Sequence, residues 1–284
     1  MLEELVFGNL KLPGETARLA VAIIGTAIAT YYDLFNNKNI PNNFLYAFAA
    51  VALAMNLFFF NQQLLLFGIG LAAVIGIIGY YLYKTGQMGA ADIFVLASLA
   101  LLLPIPPSFA KLPFNFPFIA IIFIFASLLF ALYTLIYFGS KLLHDRHAKP
   151  NLTYAVLLLP YVAFAYLFLT SPIFSPIYFA IISIAFLSSV FVMMYRDSIN
   201  HHLAERMPPS RLQEEDVLAL ELMDQKFVKK HSLQKVLTKK EITRLRRLKP
   251  RQLWVYTNLP PFLPFLFAGM VLALLFGPWL LISF

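Results

Sequence analysis

Long apolar runs alternate with short polar breaks along the chain, and the length of those runs decides the class of structure. A bilayer-crossing helix needs about 20 mostly apolar residues. Eight stretches meet or approach that length: 15–33, 43–60, 62–83, 92–110, 116–138, 153–170, 173–195 and 260–282. The first, second, third, fifth and seventh carry the strongest signal. The fourth is interrupted in its second half by Pro104, Pro106 and Pro107, which break helical hydrogen bonding. Only Thr170-Ser171-Pro172 parts the sixth from the seventh, so that pair reads as a hairpin or as one re-entrant element. The pattern predicts an all-α polytopic membrane protein with about eight transmembrane helices (six to eight).

One long polar stretch breaks the pattern. It divides the chain into a transmembrane core over 1–195, a basic insert over 196–256 and a C-terminal transmembrane helix over 257–284. Residues 196–251 hold 14 Lys and Arg against 8 Asp and Glu, so 14 − 8 = +6. Thr238-Lys-Lys-Glu241 has the form of a capping box and predicts a short helix to about Leu248. Arg244, Arg246, Arg247, Lys249 and Arg251 then sit just before the last span. There they read as a flank facing anionic lipid headgroups, not as a nucleic-acid surface.

Composition removes the soluble alternative. The chain is 60% hydrophobic and 13% charged, with a mean hydropathy of +0.75. A soluble chain of 284 residues cannot bury that much apolar surface. The absence of cysteine excludes disulfides, thiolate metal sites and a cysteine nucleophile. Glu3 and Glu4 stand where a cleaved signal peptide would have basic residues, so none is expected. Lys38, Lys84, the group Lys141, Arg146 and Lys149, and the insert all fall on one side of an eight-span chain. The other side has Lys11 and Lys111, with Arg18 in the opening turn of the first span. The positive-inside rule therefore puts both termini outside and the heavy loops in the cytoplasm of a multi-pass cell-membrane protein.

Sorting the 14 acidic residues exposes the candidate chemistry. Eight lie in the insert; Glu3, Glu4 and Glu15 are N-terminal; Asp145 is in a cytoplasmic loop. Asp33 and Asp92 remain, each adjoining a span, and an ionisable group at membrane depth is costly enough to require an explanation. The topology ends the first span at Asp33 and starts the fourth at Asp92, both toward the cytoplasm. Two carboxylates sharing a low-dielectric site do not readily ionise together, so one acts as acid while the other acts as base. Such a pair can activate water and protonate a scissile carbonyl. Helix capping is the competing reading. It suits Asp92 as N-cap of the fourth span and suits Asp33 poorly, because a helix C-terminus disfavours negative charge. A proton or ion pathway is the third reading.

Neighbouring residues favour the first. Ile40-Pro41-Asn42 follows Asp33 and marks a turn, and Gly89-Ala90-Ala91 precedes Asp92 with side chains small enough for a substrate strand to approach. An Asp closing the first span, then Lys38 and Ile40-Pro41-Asn42, resembles the type IV prepilin peptidase family, whose second motif is Gly-x-Gly-Asp. Gly89-Ala90-Ala91-Asp92 is similar to that motif, with Ala91 in place of its second glycine. Tyr32-Asp33 also resembles the Tyr-Asp of presenilin-type proteases, but their Pro-Ala-Leu motif is missing. Without cysteines, and with a charged insert before Leu259-Pro-Pro-Phe-Leu-Pro-Phe265, the chain is most similar to the archaeal preflagellin and prepilin peptidases.

The resemblance implies an aspartic endopeptidase that removes leader peptides from pilin or archaellin precursors at the cytoplasmic face. It implies Asp33 and Asp92 as the dyad, Gly89 and Ala91 shaping the substrate's approach, and Lys38, Ile40, Pro41 and Asn42 as motif residues, with no cofactor and no metal. The alternatives are a proton-coupled transporter relaying through the two carboxylates and a non-catalytic scaffold that docks partners on the insert.

Other residue groups have plain readings. His144, His147, His201 and His202 read as solvated loop histidines, not ligands. Asn151-Leu-Thr153 is a glycosylation sequon on the wrong side of the membrane to be used. Tyr31-Tyr32 and Tyr80-Tyr81 read as interfacial aromatics, and Met193-Met194 as lipid-facing or core packing. No phosphate loop, nucleotide fingerprint or serine-nucleophile motif is present.

Overall fold

The computed structural model describes residues 10–36, 39–110, 116–145, 148–172, 174–248, 250 and 252–282, the side chains of 278–282 excepted. The apolar runs fold into helices α1 (Glu15–Phe35), α2 (Asn42–Phe58), α3 (Gln62–Lys84), α4 (Ala90–Leu102), α5 (Phe118–His144), α6 (Leu158–Leu169), α7 (Pro176–Met194) and α11 (Leu263–Ile282). The insert contributes α8 (Arg196–Leu203), β1 (Ala204–Met207), α9 (Gln225–His231), α10 (Lys239–Leu248) and β2 (Leu253–Tyr256). The chain is a helical, multi-pass membrane protein. Among the described residues, five helical segments are long and apolar enough to cross a bilayer: Glu15–Phe35, Gln62–Lys84, Phe118–His144, Leu152–Leu169 and Pro176–Met194.

α4 is the hub of the bundle and packs on α1, α2, α3 and α5. Its buried face holds Val95, Leu96, Ser98, Leu99, Ala100 and Leu102. The fourth apolar run was expected to continue to residue 110, but the helix stops at Leu102. Pro104 disfavours helical geometry in Leu103, which leaves the helix at φ −126°, and residues 103–107 continue as buried non-helical chain.

That early stop orphans the last carbonyls of α4 inside the protein. Arg18 answers them. Its Nη1 donates to the carbonyls of Leu101 and Leu102 at 3.3 Å each, and to Asn56 Oδ1 at 3.0 Å. Its other nitrogens reach the carbonyls of Pro13, Met55 and Phe59. Asn56 Nδ2 adds a bond to Leu101 O at 2.8 Å. Arg18 therefore closes the ends of α2 and α4 from α1, where the negative ends of both helix dipoles favour a cation. The sequence placed Arg18 in an opening turn and predicted none of this.

α11 lies between α1 and α5. Its contact with α5 is made at Gly269, where an added Cβ would meet Ala126 N at 2.6 Å and Ile122 O at 2.8 Å. Small residues permit this backbone approach between membrane helices. Gly269→Leu is expected to cost about 1–3 kcal/mol by overpacking. Gly139→Leu, on the same α5 but with open space around it, is expected to cost little. Unfolding midpoints in detergent compare the two, and equal effects would refute the assignment.

α6 and α7 are two helices packed on each other, which resolves the sixth and seventh runs as a hairpin. Tyr161 donates to Ser183 Oγ at 2.9 Å across them. No residue of α6 is buried against the rest of the chain. An apolar helix left uncovered by its own protein is stable with lipid as the solvent.

The insert is more than a charged loop with one helix. β1 and β2 pair antiparallel, from Ala204 opposite Tyr256 to Met207 opposite Leu253. Residues 217–219 run along β2, with Leu218 bridged to Val255, and on the other side Val217 is bridged to Val236. Leu212, Leu218, Leu233, Leu237, Ile242, Leu245, Leu253 and Val255 form its own apolar cluster. α10 starts where the capping box placed it, with Glu241 N donating to Thr238 Oγ1 at 3.4 Å. The strands escaped the sequence reading because four-residue runs such as Ala204–Met207 show too little alternation to announce a strand.

Asp216 lies in this unit and accepts a hydrogen bond from Gln213 N at 2.7 Å. Burial raises its carboxyl above the usual carboxylate range, more than that hydrogen bond lowers it. A raised folded-state value means the folded insert binds the proton more tightly than the unfolded chain. Its contribution to stability is therefore full at low pH and is lost as pH rises through the raised value. Asp216→Asn keeps the acceptor and is expected to slow local opening of Val217 and Leu218 at neutral pH. The difference from the parent should vanish in acid. Amide exchange across that range checks it, and a gap that widens in acid would reverse the sign.

Candidate functional site

Asp33 lies in the last turn of α1 and is buried. The dipole of its own helix opposes a charge there, and the structure supplies compensation from another element. Leu263 N, at the first position of α11, donates to Asp33 Oδ2 at 3.2 Å. One turn earlier on α1, Thr30 Oγ1 donates to Leu263 O at 3.2 Å. The last span is thus latched to the end of the first by both polar groups of one residue. Pro264, in the first turn of α11, was a readable signal for that helix start. Nothing in the sequence indicated that the Leu263 amide would meet Asp33.

Asp92 is half-buried near the start of α4. The competing capping reading made it the N-cap, but Gly89 holds that position and Asp92 stands three residues later. Its Oδ2 accepts from Gly89 N at 3.2 Å, the return half of a capping box. A Cβ on Gly89 would come within 3.2 Å of that oxygen, so glycine keeps the carboxylate uncovered. Ala91 is half-buried against the membrane core. The turn before it, 85–89, is set by Gly86 in left-handed conformation at φ +67°, a geometry that favours glycine.

α1 packs on α4, and the two carboxylates interact electrostatically across that contact. The other motif residues divide. Ile40 is buried in the main apolar cluster and anchors the α1–α2 link. Pro41 precedes α2 and its carbonyl accepts from Phe44 N at 2.9 Å, while Asn42 is the exposed first residue of the helix. Lys38 lies outside the described residues.

The histidines have local partners. His144 Nδ1 is 2.8 Å from Ser140 O, His202 is 3.3 Å from an Asp145 oxygen, and His201 meets the Trp254 ring edge-on. His147 lies outside the described residues. Among the described residues no group of three or more His, Asp or Glu gathers in a way that could hold a metal. Asn151 of the sequon uses its side chain to accept from Thr153 N at 3.1 Å.

Residues 20–135, from α1 into α5, match the model of the type IV leader peptidase family. The matched region belongs to that family. It contains Asp33, Asp92 and the turns beside them, whereas the insert and α11 lie beyond it. The match supports a type IV leader peptidase-like protease, and pilin-type chains with leader peptides are the substrates that family implies. No curated protein and no solved structure matches the chain.

Proposed function

We propose that the chain is an aspartic endopeptidase that cuts leader peptides from prepilin-like or archaellin precursors at the cytoplasmic face, with Asp33 and Asp92 as its dyad. The observation that carries this reading is that α1 and α4, which carry these two carboxylates, pack on each other inside the family-matched region, near enough for one charge to bear on the other. Helix capping explains a hydrogen bond at each Asp and gives no reason for the two to stand on helices that pack on each other.

One carboxylate takes a proton from water as the water attacks the scissile carbonyl. The other, protonated, donates to the carbonyl oxygen; as the C–N bond breaks, the first passes its new proton to the amine and the second takes back the hydroxyl proton. Either carboxylate can fill either role, so neither is assigned a fixed one. Lys38 and the turn at Ile40–Asn42 sit on the same connection as Asp33 and would border the substrate. The Lys and Arg distribution supports a cytoplasmic location for this end of the bundle.

A relay in a transporter would use broken helices near its carboxylates. α4 does break, but at Leu102, ten residues from Asp92, or about 15 Å along the helix. That break is sealed by Arg18. The test is incubation of membranes holding the full chain with prepilin-type and archaellin-type precursors, with sequencing of the new N-termini. Cleavage just before the precursor's apolar segment is the expected result. Proton flux in vesicles without cleavage would favour the relay.

A further inference from the structure

The insert touches the site from two directions. Gly86, in the turn leading to Asp92, lies against it: a Cβ added there would meet Val217 Cγ1 at 2.9 Å and the Lys235 side chain at 3.4 Å. Beside this contact, the Tyr83 hydroxyl at the end of α3 faces the Glu215 carboxylate. Glu215 itself is held in left-handed backbone geometry at φ 72°. Its amide donates to Leu237 O at 2.9 Å, so this corner of the insert is fixed by the unit's own pairing.

From Val217 the connection runs on. Tyr256 N in β2 donates to Val217 O at 2.9 Å. After β2, Thr257 N and Asn258 N both donate to Leu203 O, which secures the exit from the strand. Pro260 and Pro261 stiffen the short link to Leu263, whose amide holds Asp33. One small folded unit therefore braces the turn that carries Asp92 and feeds directly into the residue that holds Asp33.

We propose that the insert is the positioning element of the dyad: Val217 and Glu215 fix the Gly86 turn, β2 fixes Leu263, and together they set how Asp92 faces Asp33. The catalytic part of this inference rests on the proposed peptidase function; the geometric part does not. Val217, Glu215 and Leu263 are positioning residues, since they act through the carboxylates and not on substrate. The apolar contact at Val217 is the adjustable joint, because its backbone remains bonded to Tyr256 when its side chain is shortened.

The full-length Tyr83→Phe/Val217→Ala chain tests this with two independent readouts. The protein has no cysteine, so Asp33→Cys/Asp92→Cys introduces the only thiols. The rate of their crosslinking by a short bismaleimide reports the geometry without any catalysis. Uncoupling the insert is expected to slow that crosslinking about 10-fold or more. In the chain with both carboxylates intact, it should lower kcat about 10- to 100-fold with KM unchanged. Val217→Ile should restore both. Unchanged crosslinking, or a raised KM with kcat intact, would overturn the positioning role. Slowed crosslinking in a chain whose parent cleaves no precursor would sustain positioning and remove the peptidase reading instead.

Discussion

Asp33→Asn and Asp92→Asn are each expected to lower leader cleavage by about 10²- to 10⁴-fold, the range supplied by a positioned acid or base. Asn suits the question because it separates the two jobs of each carboxylate. An amide oxygen still accepts from Leu263 N at position 33 and from Gly89 N at position 92, the two hydrogen bonds the native carboxylates make. The helix ends stay satisfied, and the chain should reach the membrane in normal amount. What Asn lacks is the capacity to take up and release a proton. A purely structural carboxylate would tolerate the change, whereas half of an acid–base pair would not. The measurement is leader removal from a co-expressed precursor, normalised to the amount of inserted protein. Either variant working at near the parental rate would end the case for a dyad.

The second large effect concerns folding. Arg18→Leu is expected to destabilise the bundle by about 3–5 kcal/mol, since removing a buried charged donor leaves its partners unpaired. The carbonyls of Leu101 and Leu102 belong to α4, those of Met55 and Phe59 to the end of α2, and Asn56 bonds both sets. Arg18 is buried, so the orphaned oxygens keep the full cost of desolvation. Arg18→Lys should recover only part of the loss. One ammonium cannot reproduce the planar fork that reaches Asn56, Leu101 and Met55 together. Denaturant titration of the purified protein in detergent checks both variants. A midpoint for Arg18→Leu equal to the parent's would show that these hydrogen bonds carry no net stability. Because α4 also carries Asp92, loss of Arg18 should depress cleavage as a consequence of unfolding, in proportion to the folded fraction.

Much of this was legible in order along the chain. Apolar runs of span length specify helices in lipid whatever their neighbours, because each helix satisfies its own backbone. That is why the sequence located α1, α2, α3, α5 and α7 so closely. It also isolated Asp33 and Asp92, because a carboxylate beside an apolar run is conspicuous in a chain with so few charges. The motifs around them led to the family that residues 20–135 match.

Interactions between distant segments were a different matter. Pro104 warned that the fourth run would break, but not that Arg18, more than 80 residues earlier, would close the break. The strands of the insert pair residues about 50 positions apart, and each is too short to signal itself. Gly89 and Asp92, three residues apart, form a capping geometry that local spacing can foretell, with Gly89 and not Asp92 as the N-cap.

The two carboxylates divide the same way. By itself the sequence determined that Asp33 and Asp92 stand at apolar helix ends, because hydropathy and helix length are local properties. Only the tertiary structure decided that the helices bearing them pack together, and that Asp33 is held by an amide 230 residues away. The physical reason is that a charge at a helix C-terminus needs a donor from elsewhere, and which donor arrives depends on how α11 packs against α1.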